Sequence, residues 1–199
     1  MANSKTYAVQ FRRKRLGLTN YHRRLKLLAS GKPRLVIRLS NKQVMAQVIA
    51  YSPTGDKVLA TAESTDLRKF EWKYNLNLAT SYLTGLLLGV RATKLGIGEA
   101  VLDIGNQPST PGGRIYSCLK GVLDAKLSVP ASADIFPPED RIKGKHLAQY
   151  ALLLKKQGTY ESRFSEYAKK GANPENIPLD FEKSKNAILR NHNEKNDKP

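Results

Sequence analysis

The side chains of this sequence best equipped to do chemistry are cations. Arg12, Arg13, Lys14 and Arg15 stand in a row, Arg23, Arg24 and Lys26 follow, and Lys32, Arg34, Arg38 and Lys42 come after them. Up to Gln43 there are 12 Lys and Arg side chains and no carboxylate; the first acid is Asp56. The whole chain of 199 residues carries a formal net charge of +17, of which only +5 falls after Gln43. Arginine can bridge two phosphate oxygens and lysine acts as a point charge, so the chemistry on offer is neutralisation of a polyanion. Nucleic acid is the usual partner for such a distribution. Membrane surfaces and acidic proteins are the other anions it could meet. Tyr7 and Phe11 interleave with the charges, where they can stack on bases or pack on a partner.

Other chemistries find little support. One cysteine, Cys118, excludes an internal disulfide and a Cys-rich zinc site. The histidines His22, His146 and His192 lie far apart, so no metal and no cofactor is expected. No N-terminal stretch has the apolar core of a signal peptide. The apolar run Leu83 to Val90 is broken by Thr84 and two glycines. It is also far short of the roughly 20 residues a membrane span needs, so a soluble protein is expected.

The elements that must position these cations can be read in order. Met1 to Leu18 lacks apolar periodicity and reads as an extended arm. Thr19 is the expected N-cap of a short helix with Tyr21, Leu25 and Leu28 on its apolar stripe, ended by Gly31 and Pro33. Arg23 and Lys26 fall opposite, Arg24 borders the stripe, and no acid is at hand to pair with them. A β meander follows over Arg34–Leu39, Gln43–Tyr51 and Lys57–Glu63, with turns at Ser40–Lys42 and Ser52–Asp56. Asn75–Thr93 is a long helix whose Gly85 and Gly89 allow close backbone packing on a sheet, with Trp72 packing at its start. Glu99–Ile104 is a short buried strand, and Arg114–Leu127 is a helix introduced by Thr110 as N-cap and Pro111 at its first position. Glycines 112 and 113 beside Arg114 make either a phosphate seat or a plain helix start. Pro137 and Pro138 end this body. A second basic loop (Arg141, Lys143, Lys145) leads to His146 at the head of another helix, and the tail is helical in pieces. The order β-β-β-α-β-α implies an α/β layered sheet of the kind found in ribonuclease H-like folds. The expected division is a basic arm and short helix over 1–33, an α/β core over 34–138 and a helical extension over 139–199.

A nuclease of that fold class would need carboxylates converging on two metal ions, one of them on the first strand. Here that strand has no acid and two arginines, Arg34 and Arg38; Asp103 on the fourth strand has no partner acid at a supporting position. No nucleophile elbow or phosphate-binding Gly loop occurs. Catalysis is not expected.

Several motifs together resemble the family of large-subunit ribosomal protein eighteen in its archaeal form. They are Phe11-Arg-Arg-Lys-Arg15, Thr19-Asn-Tyr-His-Arg-Arg-Leu-Lys-Leu-Leu28, Ser30-Gly-Lys-Pro-Arg-Leu35, Ser40-Asn-Lys42 and Ala46-Gln47. Further along stand Ser81-Tyr-Leu-Thr-Gly-Leu-Leu87, Glu99-Ala-Val-Leu-Asp-Ile-Gly105, Thr110-Pro-Gly112 and Gly144-Lys-His-Leu-Ala-Gln-Tyr-Ala151. The resemblance implies a non-catalytic ribonuclease H-like protein that binds 5S rRNA in the central protuberance of the large subunit. The basic arm and the meander would form the main contact. Implied neighbours are 23S rRNA, large-subunit protein five and the archaeal and eukaryotic protein twenty-one. The alternative is an RNA chaperone outside the ribosome.

Within that reading Arg12, Arg13, Lys14, Arg15, Arg23, Arg24, Lys26, Lys32 and Lys42 are expected on phosphates. Arg34 joins the contact set, and Arg38 could face RNA or solvent. Tyr21 and His22 could stack on unpaired bases, or Tyr21 could serve the core. Asn41 either meets a base edge or fixes its turn. Arg114 is a further candidate. Arg141, Lys143, Lys145 and His146 form a second-tier patch with 23S rRNA as its candidate partner.

Overall fold

A computed structural model describes residue 6 and residues 8–193; Lys5 and Tyr7 of the expected arm lie outside the described residues. The arm is not wholly extended. Arg12–Arg15 forms one helical turn, α1, closed by Phe11 carbonyl bonds from Lys14 and Arg15, and Gly17 at φ 65° turns the chain out of it. Four adjacent cations are tolerated in that turn because every one of them is exposed to solvent. Helix α2 spans Tyr21–Leu28, and its N-cap is Asn20, whose Oδ1 accepts the Arg23 N–H at 3.1 Å. Thr19, the expected cap, instead accepts the Arg13 Nε–H at 2.9 Å.

From position 34 alternation takes over. Strands β1 (Arg34–Leu39), β2 (Val44–Ala50) and β3 (Lys57–Glu63) form the antiparallel meander. Register places Leu35 opposite Val48 and Ile37 opposite Ala46, and all four are fully buried on one face. Period-two geometry then sends Arg34, Val36 and Arg38 to the other face. Strand β4 (Val101–Asp103) adds parallel to β1, giving the order β3-β2-β1-β4. Ser128 continues the sheet past β4 through paired bonds of 2.9 Å with Ala100 and Gly98. This is the α/β layered arrangement expected of the ribonuclease H-like class.

Helix α3 (Leu78–Lys94) lies across the apolar face, started by Asn77, which accepts the Thr80 N–H at 2.7 Å. Trp72 packs at its start as expected, 2% exposed, donating its indole N–H to Thr80 at 2.9 Å. Gly85 and Gly89 do permit close packing, but on the neighbouring helix α4 (Arg114–Asp124) rather than on the sheet. A Cβ on Gly85 would stand 1.9 Å from the Cys118 carbonyl oxygen, and one on Gly121 of α4 would stand 2.1 Å from the Tyr82 carbonyl oxygen. The helices therefore touch backbone to backbone, which seals Cys118 in the interior and pushes its thiol pKa up to about 12 by burial. Helix α4 starts later in the loop than expected: its N-cap is Gly113, not Thr110, and Lys126 at φ 69° ends it.

The C-terminal stretch comprises α5 (Glu139–Ile142), α6 (Lys145–Lys156), α7 (Tyr160–Arg163), α8 (Ser165–Lys169) and α9 (Ile177–Asn193). Ile177, Phe181 and Ile188 of α9 enter the same apolar cluster as the sheet and α3. The Phe181 ring meets Tyr82 at 5.4 Å and Trp72 at 6.4 Å. Among the described residues no helix is long and apolar enough to cross a membrane.

Gly85→Ala should destabilise the protein by about 3 kcal/mol, the upper end of the usual overpacking cost, because the obstruction is a backbone carbonyl. Urea unfolding measures it. Gly98→Ala is the control, since a Cβ there meets nothing within 4 Å; equal midpoints for the two variants would refute close α3–α4 contact.

Candidate nucleic-acid interface

Helix α2 crosses the polar face of the sheet, above β1 and β4, and its underside decides where the cations go. Of the expected stripe, Tyr21 and Leu28 turn inward but Leu25 does not. Tyr21, Arg24, Leu27 and Leu28 are half-buried, whereas Leu25 is 69% exposed. Arg24 takes the inward place because an anion waits beneath it: its Nη2 lies 2.9 Å from Asp56 in the β2–β3 turn. The cations of the N-terminal stretch are thus not all without acids, since Asp56, Asp103 and Glu99 reach back to them from later elements.

These contacts form an alternating chain of charge. Asp56 also receives Arg34 at 2.6 Å, Arg34 donates to Asp103 at 2.7 Å, and Asp103 meets Arg38 at 3.1 Å. Arg34 is 4% exposed and Asp103 6% exposed, so this central pair is desolvated. Burial alone would push the Asp103 carboxyl up. Arg38, the Gly105 N–H and Arg34 together outweigh it and hold the group below the ordinary carboxylate value. Arg38 also donates to the Ile37 and Asp103 carbonyls, and Gly105 at φ 63° lies against its guanidinium, where a Cβ would come within 3.0 Å of Cζ. The groove between α2 and the sheet encloses about 610 Å³, floored by Val36, Arg38, Ile49 and Leu102.

The outward side is different. Arg12, Arg13, Lys14, Arg15, His22, Arg23 and Lys26 are exposed, and none forms an ion pair with a described acid. Arg13 and Arg23 are tethered by neutral acceptors only, Thr19 Oγ1 and the Gly105 carbonyl. Phe11, 72% exposed, lies 5.4 Å from the Tyr21 ring, so Tyr21 neither enters the core nor stands alone. Lys32 meets Glu99 at 2.6 Å, but both are open to water, and such a pair contributes about 0–1 kcal/mol. A phosphate could displace it.

Of the other expected contact residues, Arg34 is withdrawn from the surface and holds the groove floor. Lys42 and Asn41 are exposed at the β1–β2 turn, where Ser40 and Gln43 make the turn's bonds: Ser40 N–H to Gln43 O and Gln43 N–H to Ser40 Oγ, both 2.9 Å. Arg114 is exposed, yet the adjoining glycine amides are already used, Gly112 by Ile135 O at 2.8 Å and Gly113 by Thr110 O at 3.1 Å. That favours a plain helix start over a phosphate seat. In the second basic loop Lys143 pairs with Glu182 and Lys145 with Asp140, while Arg141 pairs with no described acid. His146 is pushed toward its neutral form, first by burial and then by Arg141. Sequence reasoning missed Asp56 and the role of Asp103. The signal was the alternation Arg34, Val36, Arg38, which puts two guanidiniums on one face of a strand.

Among the described residues no group of His, Cys, Asp and Glu could hold a metal ion. Fold and surface together define an α/β protein that sets acids beneath a cationic arm and leaves the arm's outer side positively charged. Comparison with known proteins gives the family. Residues 5–98 match the model described as "Ribosomal large subunit proteins 60S L5, and 50S L18". The large ribosomal subunit protein uL18 of Korarchaeum cryptofilum (strain OPF8) is 49% identical over 183 residues, covering 92% of this chain and 94% of that protein. The chain belongs to the uL18 family and is a structural protein of the large ribosomal subunit.

Asp103→Asn should cost about 1.5–3 kcal/mol at neutral pH, because it weakens charge-assisted hydrogen bonds to Arg34 and Arg38 while Asp56 still meets Arg34. A lowered carboxyl pKa contributes stability that is complete above about pH 4 and is lost as pH falls through the depressed value. Urea unfolding from pH 7 down to pH 2.5 should therefore show a steeper acid limb in the wild type than in the variant; parallel curves would contradict the buried pair.

Proposed function

We propose that the chain binds 5S rRNA through α1 and α2 and attaches it to 23S rRNA in the central protuberance. Phosphates are met by Arg12, Arg13, Lys14, Arg15, Arg23 and Lys26, with Lys32 exchanging its exposed carboxylate for a phosphate. His22 and the Phe11–Tyr21 pair offer ring surface to bases unstacked in RNA loops. Residues 1–33 act as the RNA-binding arm on a 34–138 body, with 139–199 as an extension. Large-subunit protein five and the archaeal and eukaryotic protein twenty-one are the protein neighbours in this reading. The chain's role is positioning, without catalysis.

The observation that carries it is the division of charge across α2. Arg24, the inward cation, is met by Asp56, and every exposed cation of α1 and α2 is left without an acid among the described residues. An internal electrostatic role would show acids on both sides. A surface repelling itself in this way is stabilised when a phosphodiester backbone settles on it and releases counterions.

Replacing Arg12, Arg13, Arg15 and Lys26 together by Gln should shrink the slope of log affinity against log salt by about 3–4, since each phosphate contact contributes roughly 0.9 on duplex and 0.7 on single strands. Filter binding to 5S rRNA between 50 and 200 mM salt reads the slope, with tRNA and generic duplex as competitors. Unchanged affinity in the quadruple variant would remove the arm from the interface. Equal affinity for 5S rRNA and tRNA would favour a chaperone instead.

A further inference from the structure

A second trough of about 620 Å³ lies on the helix side of the sheet and shares no lining residue with the groove under α2. Its rim brings together side chains far apart in sequence: Lys42 from the β1–β2 turn, Arg68 and Lys73 from the 3-10 segment Ser64–Phe70 and its exit, and Lys170 after α8. All four are exposed, and none is ion-paired with a described acid. Lys170 donates to Asn75, which in turn donates to Glu166 at 2.8 Å, the trough's one carboxylate. The rim keeps a surplus of positive charge after that acid is counted. Its aromatic residues cannot receive bases, because Trp72 is 2% and Tyr74 7% exposed.

We infer that this trough is a second seat for an RNA phosphodiester backbone, separate from the arm and blind to base sequence. The inference rests on rRNA being the chain's ligand and adds a contact surface to that reading. Cations on an open rim over a floor that hides its rings suit phosphate contact, which positions without reading sequence. Because α2 occupies the opposite face of the sheet, the two seats hold different stretches of backbone. The strand in the trough comes from 23S rRNA or from a remote part of 5S rRNA, and the experiment separates the two.

The test uses the full chain with Lys42→Gln, Arg68→Gln and Lys73→Gln combined, and measures salt-dependent binding to 5S rRNA and to 23S rRNA separately. For the RNA that occupies the trough, the slope should shrink by about 2–3 and the affinity fall at least about 10-fold at 150 mM salt. Loss on 23S rRNA alone names that molecule as the occupant, and loss on 5S rRNA names the other. Wild-type binding curves for both RNAs would overturn the inference. So would an equal loss from Lys126→Gln, Lys156→Gln and Arg190→Gln, which removes the same charge elsewhere. The emission of Trp72, the sole tryptophan, reports whether the fold beneath the rim is intact. Should the triple Gln variant shift it, Arg68→Lys with Lys73→Arg keeps the charge and must restore binding. Failure of the arm variant to weaken 5S binding would sink the proposed function while leaving this result standing.

Discussion

The desolvated pair of Arg34 and Asp103 is the constraint on which the arrangement of the polar face depends. Taking a guanidinium and a carboxylate out of water is costly, and their attraction repays the cost only with good geometry and further hydrogen bonds. Both conditions are met for the carboxylate: Asp103 receives Arg34, Arg38 and the Gly105 N–H. Arg34 is met on two sides, by Asp103 and Asp56, with only its Nε left unpartnered. The pair exists because β4 runs parallel to β1 with Val36 level with Asp103, which places Arg34 and Asp103 as diagonal neighbours on one face. A slip of one residue would send the carboxylate into the apolar layer. The charges thus fix strand register where β4, only three residues long, has few ladder bonds to do so.

From that pair the order spreads outward. Asp56 links Arg34 to Arg24, so the β2–β3 turn and α2 are tied to the centre of the sheet by one carboxylate. Gly105 bonds Asp103 through its N–H and accepts Arg23 through its carbonyl, and Asn106 donates to the Gly17 carbonyl. The arm is held at several points: an acid neutralises its inward cation, and neutral acceptors tether Arg13 and Arg23. What faces outward is set by the helical period: with Arg24 turned down to Asp56, Arg23 and Lys26 have no choice but solvent. An apolar residue at position 24 would leave Asp56 poorly matched and the helix free to roll.

Much of this was legible in the sequence, and the failures share one cause. The three meander strands, α3 and α4 follow from alternation, turn residues and periodicity, which are local properties. Arg23 and Lys26 face outward for the same reason. The rotation of α2 does not follow from such local properties, because apolar periodicity favours Leu25 inward and only the distant Asp56 reverses the choice. The partners of Gly85 were misjudged likewise: spacing shows that something approaches closely, but only the tertiary path shows a helix there and not the sheet. The partners that Asp103 meets in the fold lie 69 and 65 residues away in sequence. Where a contact is long-range and charged, sequence gives the side chains but not the pairing.

The helical side follows a complementary logic that explains how two cationic surfaces can coexist on so small a body. Glycines at 85, 89 and 121 bring α3 and α4 together without intervening side chains, so the layer beneath the sheet is unusually close-set. The apolar surface that anchors α9 is then supplied by Tyr82 and Trp72, which meet the Phe181 ring of α9. With those rings committed to packing, the rim around Trp72 has only charge to present. On the other face the acids are consumed under α2. Each face therefore reaches the surface as cations over a neutral or apolar floor, by separate physical routes: internal ion pairing on one side, close helix packing on the other. A single polyanion-binding patch would need only the first.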